Sequence, residues 1–77
     1  MGTTNIDGFS AVQIGNRIRE EIKMQNISVI QMSNDIFMST RGIYRLLVGK
    51  VYPSLYSAVI IAEYLGISLD YLLLGKR

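Results

Sequence analysis

Five serines along the chain each stand directly before an apolar stretch with helical spacing, and no other feature limits the fold as strongly. Serine is favoured just before the first helical turn, because its side-chain oxygen accepts a hydrogen bond from an otherwise unpaired backbone N–H. Four of the stretches end near Asn26, Gly49, Gly66 or Gly75, residue types that tolerate the left-handed conformation that closes helices, and the second leads into a tight connection through Phe37 and Met38. The sequence therefore predicts five helices, over about residues 11–24, 29–36, 40–48, 55–65 and 69–74, capped by Ser10, Ser28, Ser39, Ser54 and Ser68.

These helices account for nearly all of the chain, which favours an all-α fold of five compactly packed helices. The segment Val59-Ile60-Ile61 is strand-like in isolation, but no alternating segment has a partner joined by a hairpin turn. With 77 residues the chain is expected to form one small domain over residues 9–77, preceded by a loose polar arm over residues 1–8. The expected core stripes are Ile14, Ile18 and Ile22 in helix 1, Met32 and Ile36 in helix 2, and Leu55, Ala58, Ala62 and Leu65 in helix 4.

The residue inventory argues against an enzyme. The chain has no Cys and no His, which excludes a disulfide framework, a Cys/His zinc site, a thiol nucleophile and an imidazole base. Only Glu20 and Glu21 are adjacent carboxylates, and neighbouring side chains on a helix diverge. We therefore expect no catalytic residues, no metal and no cofactor, and no small-molecule effector is evident.

The chain shows no signs of membrane association or export. No apolar run approaches the ~20 residues that cross a bilayer, and the first residues lack the pattern of a signal peptide. We accordingly expect a cytoplasmic protein that does not bind membranes.

Basic residues are concentrated in the first two thirds of the chain. Between Ser10 and Pro53 there are six Lys or Arg residues against three Asp or Glu residues, although the whole chain carries a formal charge of only +2. A local positive excess favours an anionic partner such as nucleic acid.

The segment from Ser28 to Pro53 has the order of a helix-turn-helix: a short helix, a tight turn and a second short helix that begins with polar and basic residues. In such a motif the second helix enters the major groove of DNA, and its N-terminal residues reach the base edges. Those residues are Thr40 and Arg41, with Arg45 one turn further along the face of Arg41. We predict that these three side chains contact bases.

Residues 14–75 resemble the phage repressor and Cro family, also called XRE-like. The resemblance is carried by Ile14-Gly15-Asn16-Arg17-Ile18-Arg19-Glu20, Ile27-Ser28, Met38-Ser39-Thr40-Arg41-Gly42-Ile43-Tyr44-Arg45, Gly49-Lys50, Tyr52-Pro53-Ser54-Leu55, Ile61-Ala62 and Leu65-Gly66-Ile67-Ser68-Leu69-Asp70-Tyr71-Leu72-Leu73. It implies a five-helix domain that binds double-stranded DNA sequence-specifically, usually as a dimer on a palindromic operator, and a role as a transcriptional repressor. By position, the residues expected against phosphates are Ser28, Ser39, Gly42, Tyr44 and Lys50.

Two of these phosphate-contact residues keep a second interpretation. Gly42 either allows the helix backbone to approach DNA closely or occupies a position that tolerates any small residue. Tyr44 either donates to a phosphate or covers the helix.

The chain departs from the family pattern at several positions. Val29 stands where the family usually has a Gln that grips a phosphate, and Phe37 stands where the turn usually has Gly, so we expect fewer phosphate contacts. Ile22 and Leu47 replace an Arg and a Glu that pair between helices 1 and 3 in many members. Because both positions are apolar here, we predict that the two side chains touch in a repaired core.

A further apolar stripe on helix 4, extended by helix 5, predicts a homodimer interface: Tyr56, Ile60, Tyr64, Tyr71 and Leu74. The alternative function is a helix-turn-helix fold used as a protein-interaction module, such as an antagonist of a repressor. It is favoured by the low net charge and by Val29, Val48 and Val51, because these features weaken the predicted DNA-binding face.

Overall fold

The computed structural model describes residues 9–76, and this part of the chain is all-α. Its five helices are α1 (Ala11–Met24), α2 (Val29–Ile36), α3 (Thr40–Leu47), α4 (Leu55–Leu65) and α5 (Leu69–Leu74). The predicted arm over residues 1–8 lies outside the described residues. The five-helix prediction is confirmed, and the one boundary that differs is the end of α3, which closes at Leu47 because Val48 is already its C-cap.

All five predicted serine caps are present. Each serine oxygen accepts a hydrogen bond of 3.0–3.1 Å from the backbone N–H three residues later, at Gln13, Gln31, Gly42, Ser57 and Tyr71. The helix ends also follow the prediction, since left-handed backbone occurs at Asn26, Gly49, Gly66 and Gly75. Local sequence therefore accounts for the start of each helix and for the ends of α1, α3, α4 and α5, whereas α2 ends at left-handed Phe37.

The core is built around α1, which packs against α3 and α5, while α2 packs on α3 and α4. The predicted stripe of α1 is fully buried, as is Met32, and Ile36 packs on the core from its edge. Ile22 and Leu47 both belong to the buried cluster, with 7% and 5% of their surfaces exposed. Their direct contact stays a prediction.

The predicted core stripe of α4 was wrong at its first member. Leu55 is 75% exposed, whereas Ile61, which the stripe omitted, is fully buried. The buried residues of α4 are Ala58, Ile61, Ala62 and Leu65, so burial begins only at the fourth residue of the helix. Helical spacing alone therefore does not show whether the first residue of α4 is covered by the core.

Gly15 lies where α1 closely approaches the C-terminal end of α3. A Cβ added at Gly15 would fall inside van der Waals contact of the backbone carbonyl oxygens of Leu46 and Leu47. The guanidinium of Arg19 donates from Nη2 to the same Leu47 oxygen at 3.1 Å. These contacts fix the C-terminal end of α3 against α1.

Within residues 9–76, no helix is long and apolar enough to cross a membrane.

Candidate nucleic-acid interface

Helix α3 has one buried side and one exposed side. Ile43, Leu46 and Leu47 are buried in the core, and the hydroxyl of Ser39 caps the helix start at Gly42. The opposite face is exposed and consists of Arg41, Tyr44, Arg45 and Val48, with half-buried Thr40 at the first position. The anchoring of the apolar side leaves the polar side free to contact a partner.

Arg41 and Arg45 lie one turn apart on this exposed face, as the sequence predicts. Neither guanidinium makes a hydrogen bond or an ion pair within residues 9–76. Tyr44, 54% exposed, follows Thr40 by four residues and Arg41 by three, so it lies between them on the outer surface. The structure thus brings together the side chains predicted to contact bases.

The two serines expected against phosphates are exposed and act as helix caps. Ser28 accepts from the N–H of Gln31, and Ser39 accepts from the N–H of Gly42. A hydroxyl that accepts at a cap still has its own O–H to donate. Lys50, also exposed, follows α3 in the loop that leads to α4. Contact of these residues with phosphate stays a prediction.

The structure shows that the cap of α3 does not require glycine at position 42. A Cβ added at Gly42 would meet only the Oγ of Ser39, at 3.1 Å, among neighbours within 4 Å. The other four helices carry a side chain at the corresponding position and keep the same serine cap, at Gln13, Gln31, Ser57 and Tyr71. Internal packing therefore leaves both interpretations of Gly42 open.

Two of the cations that give the sequence its local positive excess are used inside the fold. Arg17 donates from Nη1 to the carbonyl oxygen of Leu72 at 3.0 Å, which ties α1 to α5, and Arg19 ties α1 to α3. The other four basic residues of that segment are exposed: Lys23, Arg41, Arg45 and Lys50. A count of charges in the sequence cannot make this distinction, because both uses need only a long basic side chain.

A hydrogen bond between side chains joins α4 to α2. The hydroxyl of Tyr64 donates to Oδ2 of Asp35 at 2.6 Å. This bond to the carboxylate, together with burial and the negative charge of Asp35, raises the pKa of Tyr64 from 10.0 to about 12. Tyr64 belongs to the predicted dimer face, and no sequence pattern indicates that its hydroxyl has a partner in the same chain.

The predicted dimer face is unevenly exposed. Tyr56 is 75% exposed, whereas the other four members are half-buried: Ile60, Tyr64, Tyr71 and Leu74. The neighbouring Leu55, predicted to lie in the core, is also 75% exposed, but it points about 100° away from Tyr56 around the helix. Whether this face binds a second copy stays a prediction.

Sequence reasoning gave too little weight to Phe37, treating it only as a departure from the usual turn glycine. Its side chain is 94% exposed and its backbone is left-handed, with φ 58° and ψ 39°. A large apolar residue before a predicted DNA-facing helix was the signal available in the sequence.

Among the described residues, the two adjacent carboxylates lie in different environments. Glu20 is exposed and Glu21 is buried, so the adjacent pair diverges as predicted. The Glu21 Oε1 accepts from Nε2 of Gln25 at 3.2 Å. No group of three or more Asp or Glu side chains between residues 9 and 76 is placed to hold a metal ion.

The fold and the exposed basic side of α3 define a helix-turn-helix domain of the DNA-binding type. A family model described as Helix-turn-helix, of the XRE type, matches residues 18–72, and the chain belongs to this phage repressor/Cro-like family. The family is one of DNA-binding regulatory domains and not of enzymes. Comparisons with curated proteins and with solved structures gave no significant match.

Proposed function

We propose that this protein is a sequence-specific transcriptional regulator, a repressor that binds a palindromic operator as a dimer with α3 in the major groove. The observation that carries the proposal is the pair Arg41 and Arg45, exposed on one face of a helix whose other face is locked into the core. A cation pair held on a fixed helix meets the requirement of direct readout, which needs donors at defined positions.

We assign a role to each polar side chain of the N-terminal part of α3 on the basis of its chemistry. The major groove is about 12 Å wide and admits one helix, and an arginine can donate two hydrogen bonds to O6 and N7 of guanine. Arg41 and Arg45 are the side chains that would do so. Thr40 offers its methyl group to thymine and its hydroxyl to a base or a phosphate.

The flanking groups position the domain on the sugar-phosphate backbone. The O–H groups of Ser28 and Ser39, the hydroxyl of Tyr44 and the ammonium of Lys50 are donors for phosphate oxygens, and Gly42 admits a close backbone approach. Val29 offers only its backbone N–H, at the start of α2, where helix geometry favours an anion. Since few cations are available, we expect modest binding whose salt dependence is shallow for a repressor.

The test begins with selection of bound duplexes from random DNA, followed by fluorescence titration at several salt concentrations. Arg41→Ala and Arg45→Ala are each expected to weaken binding about 5- to 150-fold and to relax the preference at one base pair, because each removes a bidentate contact worth roughly 1–3 kcal/mol. Lys50→Ala is expected to weaken all sequences alike and to reduce the slope of log K against log salt by about 1.

Lys76→Ala is the matched control, because it removes the same charge from an exposed position after α5. Helix α5 packs against α1 and α4, away from the exposed face of α3. The proposal fails if no selected duplex binds in a salt-dependent way, or if Arg41→Ala and Arg45→Ala have no larger effect than Lys76→Ala.

The second candidate function is a protein-interaction module that pairs with a repressor and does not bind DNA by itself. Val48 favours it, since this apolar side chain is 57% exposed on the outer face of α3. Selection that recovers no duplex, even at low salt, supports this function over direct DNA binding.

A further inference from the structure

Phe37 lies between α2 and α3 and is the most exposed of the large apolar side chains between residues 9 and 76, at 94%. Its φ of 58° places it in the left-handed region, which suits Gly or Asn and is unfavourable for a bulky residue. Between residues 9 and 76 the other non-glycine residue with positive φ is Asn26, a residue type that tolerates this conformation. The Phe37 ring therefore contributes no burial to the fold and sits on an unfavourable backbone conformation.

The backbone at Phe37 is fixed by the way α2 ends. The N–H of Phe37, at the C-cap, and the N–H of Met38 both donate to the carbonyl oxygen of Ser33, the latter at 3.2 Å. This closure requires the left-handed conformation whatever the side chain is. Phe37 thus carries its ring on a well-defined turn and not on a loose loop.

The turn leads directly into the end of α3 that faces DNA. Phe37 precedes the cap residue Ser39 by two positions and Thr40 by three, so its Cα lies within roughly 11 Å of the Cα of Thr40. The N-terminal part of the second helix is the part that reaches base edges. A side chain that projects here is close enough to touch the wall of the groove that α3 enters.

The chemistry of the ring determines what it can touch on DNA. A phenyl group cannot pair with phosphate, but it packs well on C–H groups, which DNA offers on deoxyribose and on the thymine methyl. Arg41 and Arg45 have no partner within the described residues, so the surface that begins three residues after Phe37 fits an anionic polymer better than an apolar protein groove.

We propose that Phe37 is a DNA-contact residue that packs against the C–H surface of the strand beside α3, on deoxyribose or on a thymine methyl. The inference rests on the proposed function, since it requires α3 to enter the major groove. It adds an apolar contact to a set of polar ones.

The experiment measures the affinity of the full chain for a selected duplex over a range of salt concentrations. Phe37→Gly and Phe37→Asn, which suit the left-handed backbone, are each expected to weaken binding at least fivefold with an unchanged salt slope, because an apolar contact releases no counterion. Their thermal unfolding midpoints are expected to equal or exceed that of the wild type. Phe37→Leu retains apolar bulk and is expected to bind within twofold of the wild type.

Met24→Asn is the matched control, since it removes a 67% exposed apolar side chain from the end of α1 and is expected to leave affinity unchanged. Replacing single thymines by deoxyuridine distinguishes the two C–H sources. If Phe37 contacts a thymine methyl, deoxyuridine at one flanking position is expected to weaken binding by the wild type but not by Phe37→Gly. If Phe37 contacts deoxyribose, no replacement is expected to distinguish the two proteins.

If Phe37→Gly binds DNA as the wild type does, this inference fails while the proposed function stands, and the exposed ring is then better explained by contact with a protein partner. A change in salt slope equal to that of Lys50→Ala also overturns it. Failure of the wild type to bind any duplex overturns the proposed function as well, so the two failures are distinguishable.

Discussion

Gly15 has the smallest side chain on α1, and its lack of a Cβ sets the position of the helix proposed to read DNA. The carbonyl oxygens of Leu46 and Leu47 occupy the space that a Cβ would need. Because these are backbone atoms, they move only if the whole C-terminal end of α3 moves. The position of the side chains proposed to face DNA therefore depends on a residue of a different helix.

Gly15→Ala is accordingly expected to lower the free energy of unfolding by about 1–3 kcal/mol, as overpacking does, even though Ala gains up to about 1 kcal/mol in helix propensity. Urea unfolding monitored by circular dichroism measures the change. Gly42→Ala is the control, because it is the same substitution at a helical position where only Ser39 Oγ lies near the added Cβ. Equal stability of Gly15→Ala and the wild type would contradict the close helix crossing.

The hydrogen bond from the Tyr64 hydroxyl to Asp35 is expected to make the stability of the folded state depend on pH. Its pKa is raised in the folded state to about 12, because its proton is shared with Asp35, and stands at 10.0 without that partner. The stabilisation that the protonated Tyr64 hydroxyl gives the folded state is complete below pH 10 and is lost as the pH rises towards 12.

Tyr64→Phe is thus expected to flatten the fall of the thermal midpoint over the range from pH 10 to 12. Titrations of both proteins by thermal unfolding provide the measurement. The comparison cancels contributions from Lys and from the other tyrosines, which both proteins share. Parallel pH profiles of the two proteins would show that the bond to Asp35 does not form in solution.

At the scale of the helices, the sequence predicts what local hydrogen bonding determines. The serine caps and the glycine or asparagine ends depend on residues within four positions, so α1, α2, α4 and α5 could be placed to the residue. The buried face of α3 was also predictable, because Ile43, Leu46 and Leu47 repeat with helical spacing.

The features that the sequence does not predict are those fixed by distant parts of the chain. Arg17 and Arg19 look like surface cations, yet they donate to the carbonyl oxygens of residues 55 and 28 positions later. Leu55 fits a core stripe, but its burial depends on which elements cover the start of α4. The placement of Thr40, Arg41 and Arg45 on one helix could be predicted, because all three belong to the same short segment, whereas their contact with bases stays a prediction.

Helix α3 itself is expected to become more stable when Gly42 is replaced by Ala, by up to about 1 kcal/mol, because glycine is a poor helix former. The same substitution is expected to weaken DNA binding if the bare backbone approaches the duplex. Thermal unfolding and DNA titration of Gly42→Ala measure the two effects independently. If Gly42→Ala is more stable and binds DNA as tightly as the wild type, Gly42 does not serve close approach to DNA and simply occupies a position that tolerates substitution.

At the scale of the whole molecule, the length of α3 limits what one copy can recognise. Eight residues at about 1.5 Å each make a helix of roughly 12 Å, which covers only about four base pairs. The three side chains predicted to contact bases would provide too little discrimination to select one site among the many competing sites of a genome. Two copies on adjacent half-sites double both the contacts and the specificity, which is the physical reason for proposing a dimer.

Tyr56→Glu tests the dimer, and Leu55→Glu is its matched control. Both side chains are 75% exposed in the first turn of α4, so a new carboxylate interacts equally well with the N-terminus of the helix in each variant. Adjacent positions face different directions, and only Tyr56 shares the stripe of Ile60 and Tyr64.

A charge at Tyr56 is expected to abolish self-association in sedimentation. It is also expected to remove the advantage in affinity of a duplex with two half-sites over one with a single half-site. Leu55→Glu is expected to keep both properties, since its side chain lies off the stripe. Equal behaviour of the two variants would show that the copies meet elsewhere, and a monomeric wild type on every duplex would show that they do not meet at all.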